Sequence, residues 1–464
     1  MVAFSVTAQI TTAGPPAAAF TALAQGRLLD LECERLVPGA AVSVALPVGD
    51  ASAQGPAGSP ITLLGYVGAI KPDRSVHIVH HQPWRGRLTI RFYPDDGGTR
   101  VVLESSIDHD GVNWLAQKRG YAPPELPAND RHRIGLLVSK SGSAAVFAQA
   151  TESVAALAVA EINADGGIGG TPTELLVGDD SSDVVTGAAA ALRLMRSGCR
   201  TIFACVTSAT FNAAAAALRG TDVLLIHTVL NEGGRPDPRL LRLGERPLEQ
   251  VRAGIPALMM ETGSRNWFFV GHRYSWSYGA HWAARRVIAE CGGSVAGDSY
   301  LPMGSTDFSA TVEAIERSGA DLILSSLVGH DEVLFERSCA QQGLRSRTRT
   351  FALVFDEATQ QLIGSSHADG VWAAFGYFQD LSGDEGLRNR YRASVVGPAP
   401  PLSSLSQTTY AAIWAYARAT PGTDDRSAIR DRMITNMFVR KEDSPPVRRP
   451  ILLAESRGGL LRAL

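Results

Sequence analysis

Hydroxyl side chains stand where a predicted strand ends and a predicted helix begins. In "CVTSAT" the hydroxyls of Thr207, Ser208 and Thr210 precede the helix "FNAAAAALRG". Hydroxyls and free N–H groups at a helix N-terminus suit a carboxylate or an amide oxygen. One of these residues is also expected to be the ordinary cap of the helix. The stretch predicts contact with a small polar ligand.

Other candidates for ligand contact also follow predicted strands, and ligands of doubly wound sheets sit outside the carboxyl ends of the strands. Aromatic rings give a small ligand a large contact area. A hydrogen bond between a carboxylate and a ligand donor is stronger in a closed cleft than in water. Loop packing or a plain surface carboxylate are the alternative interpretations. The candidates are Ser141, His227, Thr228, Tyr274, Trp276, Asp356 and Glu357, with Asp331 as a weaker one.

Catalytic and metal-binding patterns do not emerge from the sequence. "DHDG" at 108–111 has the residue types of a metal site but reads as a tight turn without a third ligand. His77, His80 and His81 lie on a predicted strand, where alternation divides them between two faces. The five cysteines are scattered, and no HExxH, GxSxG or HxE…CxxC pattern occurs. We therefore expect no enzyme, no metal and no cofactor.

Paired glycines in "EINADGGIGGTPTELLVGDD", residues 161–180, resemble a phosphate-binding loop at first sight. A dinucleotide fingerprint follows a strand and opens a helix, whereas these glycines follow a predicted helix and precede a strand. We expect Asn163 and Gly166 to end the helix with positive φ, and Gly167, Gly169 and Gly170 to reverse the chain. The stretch predicts a turn.

The elements that position these residues fall into two regions. Residues 1–120 contain one short helix, "PPAAAFTALAQ", and about six runs with period near two, which predicts an α+β domain with a curved antiparallel sheet. Residues 121–130 are rich in proline and predict a linker. From residue 131, apolar strands alternate with helices in two series, which predicts two doubly wound parallel-sheet lobes.

The stretch from "RIGLLVSKSGS" through "AVAEINADGGIGG" and "ELLVGDD" resembles the opening of type I periplasmic binding proteins of the branched-chain amino acid, urea and amide class. The run "YLPMGSTDFSATVEAIERSGADLILSSLVG" is most similar to the urea and short-chain amide branch, which includes the cytoplasmic amide sensor of an amidase operon. The resemblance covers 131–464 and implies one lobe from about 131–247 with 379–440. The other lobe would comprise 248–378 with the C-terminal segment.

The resemblance also implies roles for individual residues. Ser208 matches the family serine that holds a ligand oxygen, and Tyr274 matches a tyrosine that closes over the ligand. Glu357 matches the acid that receives an ammonium or amide N–H from the second lobe. His227 and Thr228 stand where the amide and urea branch carries an aromatic–proline pair, so this chain departs from the pattern there.

The first 120 residues resemble a START-like helix-grip domain of the SRPBCC type. The cues are the "PPAAAFTAL" helix after the first strand, "VPGAAVSVAL", "GYVGAIKPDRSV" and "PDDGGTRVVLESSID". The long C-terminal helix of that pattern is reduced here to "GVNWLAQKR". This domain could serve as an output module, or as an enzyme or lipid binder in its own right.

Composition restricts the partners. The chain has 464 residues, 45% hydrophobic and 19% charged, with a formal net charge of -2. Near-balanced charge provides no field to attract nucleic acid or an anionic membrane, and no apolar run of spanning length is expected. The N-terminus reads as a strand rather than a secretory signal, so we expect a soluble, cytoplasmic protein.

The favoured hypothesis is a cytoplasmic sensor that closes two lobes on an amide, urea or amino acid and passes closure to a protein partner, with a homodimer possible. The alternative is the substrate-binding component of an ABC transporter for amides, urea or branched-chain amino acids. A ligand that contacts both lobes favours the closed state only to the extent that it binds the closed state more tightly than the open state.

Overall fold

The computed structural model describes residues 4–48, 58–108, 111–112, 114–115, 130–437 and 449–464. The chain divides into two compact units, Met1–Glu125 and Leu126–Leu464, which are called the first unit and the second unit below.

The first unit is an α+β structure whose described strands are all antiparallel and follow the order β1-β7-β6-β5-β4-β3-β2. The single predicted helix is found, and seven strands replace the expected six because Asp30–Glu32 also pairs. The elements are β1 Phe4–Ala13, α1 Pro16–Ala24, β2 Asp30–Glu32, β3 Ala41–Val48, β4 Gly58–Lys71, β5 Ser75–Gln82, β6 Gly86–Asp95 and β7 Gly98–Ile107.

Helix α1 begins at a proline, whose missing N–H has no helical partner to lose. It buries Ala19 and Leu23 in one apolar cluster with sheet residues such as Ile78 and Ile90. Each fully buried aliphatic side chain contributes about 1.5–3 kcal/mol. This cluster holds the helix against the sheet.

Two of the three histidines of β5, His77 and His80, lie on opposite faces of the strand. His80 is fully buried, and its Nδ1 lies 2.9 Å from the carbonyl oxygen of Trp84. His77 lies 3.3 Å from the hydroxyl of Thr89 on the other face of the strand. In the "DHDG" turn, Asp108 accepts a hydrogen bond from Gly111 N, while His109 and Asp110 lie outside the described residues.

The second unit begins with a parallel five-stranded sheet in the order β12-β11-β10-β8-β9, which with its helices forms the first lobe. In β10 and β11 every residue is buried, as expected for parallel strands covered on both faces. The elements are β8 His132–Val138, a 3-10 turn Ser143–Phe147, α2 Ala148–Ala164, β9 Thr173–Asp179, α3 Val184–Arg196, β10 Thr201–Cys205, α4 Ser208–Ala217, β11 Leu224–His227 and β12 Leu240–Arg242.

The second lobe is built on a seven-stranded sheet in the order β14-β13-β15-β16-β17-β18-β19, parallel except at β18 and β19. Its elements are α5 Pro247–Thr262, β13 Asn266–His272, α6 Ser275–Glu290, β14 Ser294–Leu301, α7 Ser309–Ser318, β15 Leu322–Ser326, α8 His330–Gln341, a 3-10 turn Leu344–Ser346, β16 Arg349–Ala352, α9 Glu357–Ile363, α10 Ser365–Ala368 and β17 Val371–Phe375. Then follow α11 Glu385–Ser394, α12 Ser404–Ala419, α13 Arg426–Met437, β18 Leu452–Arg457 and β19 Leu460–Ala463.

Helices α12 and α13 return to the first lobe. The hydroxyl of Thr409 donates to Thr228 Oγ1 at 2.8 Å, and Arg430 donates to the carbonyl of Leu240 at 3.0 Å. Where the chain crosses between lobes, Glu245 accepts hydrogen bonds from Gly376 N and from the Ser404 hydroxyl. One carboxylate thus joins three crossing segments.

The segment Ser143–Ala164 is long and apolar enough to cross a membrane by length and composition, and 78% of its apolar window is buried in the second unit. Such burial is typical of a core helix. It packs against α12, where the hydroxyl of Tyr410 donates to Glu161.

The paired glycines form a turn, as predicted. Gly166 and Gly167 have φ of 93° and 81°, and a Cβ on Gly167 would lie 2.2 Å from the carbonyl oxygen of Thr171. The expectation for Asn163 was wrong. The helix continues through Asn163, and its side-chain amide pairs with both backbone groups of Thr173, at 2.7 and 2.9 Å.

Candidate functional site

A cavity lies between the two lobes of the second unit, at the carboxyl ends of strands from both sheets. This is where doubly wound sheets bind ligands. We call it the cleft cavity. It is lined by Ala144, Phe147, Cys205, Val206, Thr207, Ser208, Val229, Leu230, Tyr274, Trp276, Val328, Val354 and Leu405.

The first lobe brings the N-terminus of α4 to the cavity. Thr207 has extended backbone angles and caps the helix, because its Oγ1 accepts a hydrogen bond from Thr210 N at 3.2 Å. The N–H groups of Ser208 and Ala209 remain outside the helical hydrogen-bond pattern. The Ser208 side chain is only 5% exposed, and its hydroxyl has no hydrogen-bond partner among the described residues.

The second lobe brings two aromatic rings. Tyr274 follows β13 with extended backbone, and Trp276 lies in the first turn of α6 with 2% of its surface exposed. The ring centroids are 6.3 Å apart with an interplanar angle of 29°. The indole N–H of Trp276 has no acceptor among the described residues. Burial raises the pKa of Tyr274 above its ordinary value, so the phenol stays neutral.

The rest of the lining is apolar and was not singled out by sequence reasoning, which considered only polar and aromatic residues at strand ends. Val229, Val328 and Val354 also follow strands, so the same positional rule could have found them. Leu405 comes from α12, far along the chain, and no local signal points to it.

Three other candidates of the first lobe stand behind the cavity rather than in its lining. His227 is fully buried, stacks on Phe211 at 4.4 Å, and has Nε2 2.8 Å from the carbonyl oxygen of Val206. Burial lowers its pKa to about 4, so the ring is neutral at pH 7. Thr228 and Thr210 are both buried, and their hydroxyls bond to Thr409 and Thr207 respectively.

Ser141 also lies outside the lining. Its hydroxyl donates to Asp179 Oδ2 at 3.1 Å. Asp179 Oδ1 additionally accepts from the backbone N of Lys140 and of Ser181. The serine therefore helps to fix the loop after β8 rather than facing the cavity.

The two candidate acids of the second lobe lie outside the cavity lining, Asp356 buried and Glu357 half-buried. One oxygen of each is bonded, while Asp356 Oδ2 and Glu357 Oε2 have no hydrogen-bond partner among the described residues. Asp356 caps α9, with Oδ1 2.9 Å from both Thr359 N and Thr359 Oγ1. Glu357 accepts a hydrogen bond from Gln379 N. Burial, and for Glu357 also the neighbouring Asp356, raises the pKa of each carboxyl.

Asp331 has a structural environment too. Its Oδ2 lies 2.8 Å from His272 Nε2 and accepts from Gly304 N at 2.7 Å. Both Asp331 and His272 are 1% exposed. The pair anchors the loop after β14 to the first turn of α8.

Contacts between the two lobes lie beside the cleft cavity. Gly329 has φ of 61° and ψ of -116°, and a Cβ there would lie 2.1 Å from the carbonyl oxygen of Ser143 in the first lobe. At the rim, the hydroxyl of Ser275 donates to Glu232 Oε1 at 3.3 Å. The two lobes therefore touch on the border of the cavity.

Comparison with known proteins agrees with this architecture. A family model described as periplasmic binding protein matches residues 132–448. Among solved structures, the substrate-binding protein LivJ of Streptococcus pneumoniae, in complex with isoleucine, is 19% identical, covers 72% of this chain and 98% of its own, and has a TM-score of 0.63.

Two other structures are equally similar. A solute-binding protein of an R. palustris ABC transporter, in complex with 4-hydroxybenzoate, is 20% identical over 72% of this chain and 96% of its own, with a TM-score of 0.62. The leucine-binding protein LivK of Thermotoga maritima is 17% identical over 72% and 97%, with a TM-score of 0.62. At these identities the likeness shows the fold.

Proposed function

The chain belongs to the periplasmic binding protein family, and we propose that its second unit binds a small organic ligand in the cleft cavity and closes its lobes around it. The observation that carries the proposal is Ser208: a buried hydroxyl without a partner in the part of the chain that the structure describes, at the N-terminus of α4, in the lining of a cavity between two lobes. A ligand carboxylate or carbonyl oxygen would accept from this hydroxyl and from the free N–H groups beside it.

A thermal-shift screen of the full chain identifies the ligand, because binding to the native state raises stability. Suitable probes are leucine, isoleucine, benzoate, 4-methylpentanoate, benzamide and urea. For each probe that binds, Ser208→Ala should weaken affinity by about tenfold or more. The unfolding free energy should change by no more than about 0.5 kcal/mol, since the hydroxyl has no hydrogen bond to lose with the described residues.

Ser309→Ala is the matched control, because Ser309 is also the first residue of a helix and does not line the cavity. It should leave affinity unchanged. The proposal is wrong if no probe binds, or if Ser208→Ala and Ser309→Ala bind the ligand equally well.

We propose that this binding serves solute uptake, as the substrate-binding component of a transporter. Support comes from the neighbours, which include the branched-chain amino acid transporter protein LivJ and an ABC transporter solute-binding protein. The second candidate is a cytoplasmic ligand sensor with a protein partner. The first unit favours the sensor. The matched structures align over almost their whole length, yet more than a quarter of this chain has no counterpart in them. Fractionation of cells that produce the chain separates the two: export supports uptake, and retention in the cytoplasm supports the sensor.

For the first unit we propose a helix-grip architecture of the SRPBCC type. The strand order β1-β7-β6-β5-β4-β3-β2, with α1 between the first two strands, supports it. An experimental structure of the unit with its C-terminal segment resolved would test whether a helix packs in the grip.

A further inference from the structure

We infer that the ligand of the cleft cavity is a small monocarboxylate with an apolar body and without an ammonium group. This inference rests on the proposed function, since it names the ligand class of the same site.

The polar atoms available in the lining favour an acceptor group on the ligand. The hydroxyl of Ser208 and the indole N–H of Trp276 are more than nine-tenths buried and have no partner among the described residues. Two N–H groups at the start of α4 add to them. A carboxylate accepts several hydrogen bonds and donates none, and the helix N-terminus stabilises its negative charge.

No side chain in the described lining carries a negative charge to receive an ammonium group. Asp356 and Glu357 lie outside the lining, and one oxygen of each accepts a backbone hydrogen bond, from Thr359 N and Gln379 N respectively. Burial raises the pKa of both, which disfavours their ionised forms. Glu232 is exposed at the rim and accepts from Ser275. An amino acid would therefore bury its ammonium group without a counter-charge, which costs binding free energy.

The remaining lining determines the body of the ligand. Six aliphatic side chains and the ring of Phe147 surround the space next to the two aromatic rings of the second lobe. The aliphatic residues are Val206, Val229, Leu230, Val328, Val354 and Leu405. A branched alkyl chain or a single aromatic ring buries its surface against them without leaving polar atoms unpaired.

The test compares acids with the amino acids that differ only by the ammonium group. Calorimetric titrations of the full chain at pH 7.5 use 4-methylpentanoate against leucine and 3-phenylpropanoate against phenylalanine. We expect at least one acid to bind about tenfold or more tightly than its amino acid. Benzoate against benzamide tests the carboxylate in the same way, and the acid should bind more tightly.

A pair of variants tests whether a carboxylate in the lining would allow an amino acid to bind. Val354→Asp introduces a carboxylate into the lining, and Val354→Asn has the same size without the charge. The ratio of leucine affinity to 4-methylpentanoate affinity should rise by about tenfold in Val354→Asp relative to Val354→Asn. Equal ratios in the two variants would argue against the inference.

The failures of the two proposals are distinguishable. If an amino acid, an amide or urea binds more tightly than every acid, and Ser208→Ala weakens that binding, the ligand class is wrong while the cleft remains the binding site. If nothing in the panel binds, or if binding does not depend on Ser208, both the ligand class and the proposed function fail.

Discussion

The two lobes present unlike surfaces to the cavity between them. The first lobe contributes a helix N-terminus and the hydroxyl of Ser208, which has no partner in the described chain. The second lobe contributes the rings of Tyr274 and Trp276, while its acids lie outside the lining. A polar residue near a cleft is therefore available to a ligand only where the fold places it in the cavity lining with a polar atom still unbonded.

The largest effect should come from preventing the two surfaces from meeting. In Gly329→Ala the added Cβ would overlap the carbonyl oxygen of Ser143, so the lobes must separate. We expect ligand affinity to fall about 30-fold or more. The reason is that a cost of about 2 kcal/mol for forming the closed arrangement reduces the binding free energy by the same amount. Calorimetry measures the affinity, and small-angle scattering reports the opening.

Gly319→Ala is the control for adding a methyl group to a glycine of positive φ. Gly319 has φ of 66° at the end of α7, and no atom lies within 4 Å of its Cβ position. It should cost about 1 kcal/mol of stability and leave ligand affinity unchanged. Equal affinity losses in both variants would show that Gly329 acts through stability rather than closure.

A smaller effect should follow from trimming the aromatic surface of the second lobe. Trp276→Phe keeps a ring but removes the indole N–H and part of the contact area, and we expect affinity to fall by about tenfold. Trp282→Phe, on the same helix but with the indole 69% exposed, should not change affinity. If Trp276→Phe binds as tightly as the wild type, the ligand does not reach the second lobe through this residue.

The smallest effect on binding should come from Glu357→Gln. The carboxyl lies outside the cavity lining, so titrations of the acid should show affinity changing by less than about threefold. A loss of about tenfold or more would mean that Glu357 contacts the ligand, and the contrast between the lobes would be wrong.

Glu357→Gln should also alter the pH dependence of stability. Burial raises the pKa of Glu357 well above its ordinary value of 4.5. A raised carboxyl pKa gives stability that is complete below the ordinary value and is lost as pH rises through the folded-state value. Wild-type stability should therefore decline relative to the variant in urea titrations as pH increases above about 4.5. If the difference in unfolding free energy between the wild type and Glu357→Gln stays constant as pH rises, the pKa of Glu357 is not raised.

Much of the fold could be predicted from the sequence, because long apolar strands alternate with helices and parallel sheets require that pattern. The prediction missed β2 and β12, which have three residues each and no measurable period. It also missed β17, a run of five buried residues too short to separate from a loop. Asn163 was misread because its side-chain pairing with Thr173 depends on the tertiary arrangement.

The site could be predicted only in part. The rule that ligands lie at strand carboxyl ends led to Thr207, Ser208, Tyr274 and Trp276, which the structure brings to one cavity. The same rule cannot tell which polar side chains are already bonded. The contact of His227 with Val206 joins residues 21 positions apart, and nothing local in the sequence marks it.

The most direct measurement is a crystal structure of the full chain with the acid of the panel that binds most tightly. We predict a carboxylate oxygen within about 3.2 Å of Ser208 Oγ and of the Ala209 N–H, with the apolar body between Val229 and Trp276. An acid bound with its carboxylate remote from Ser208, against Glu357 or outside the cleft between the lobes, would contradict the account.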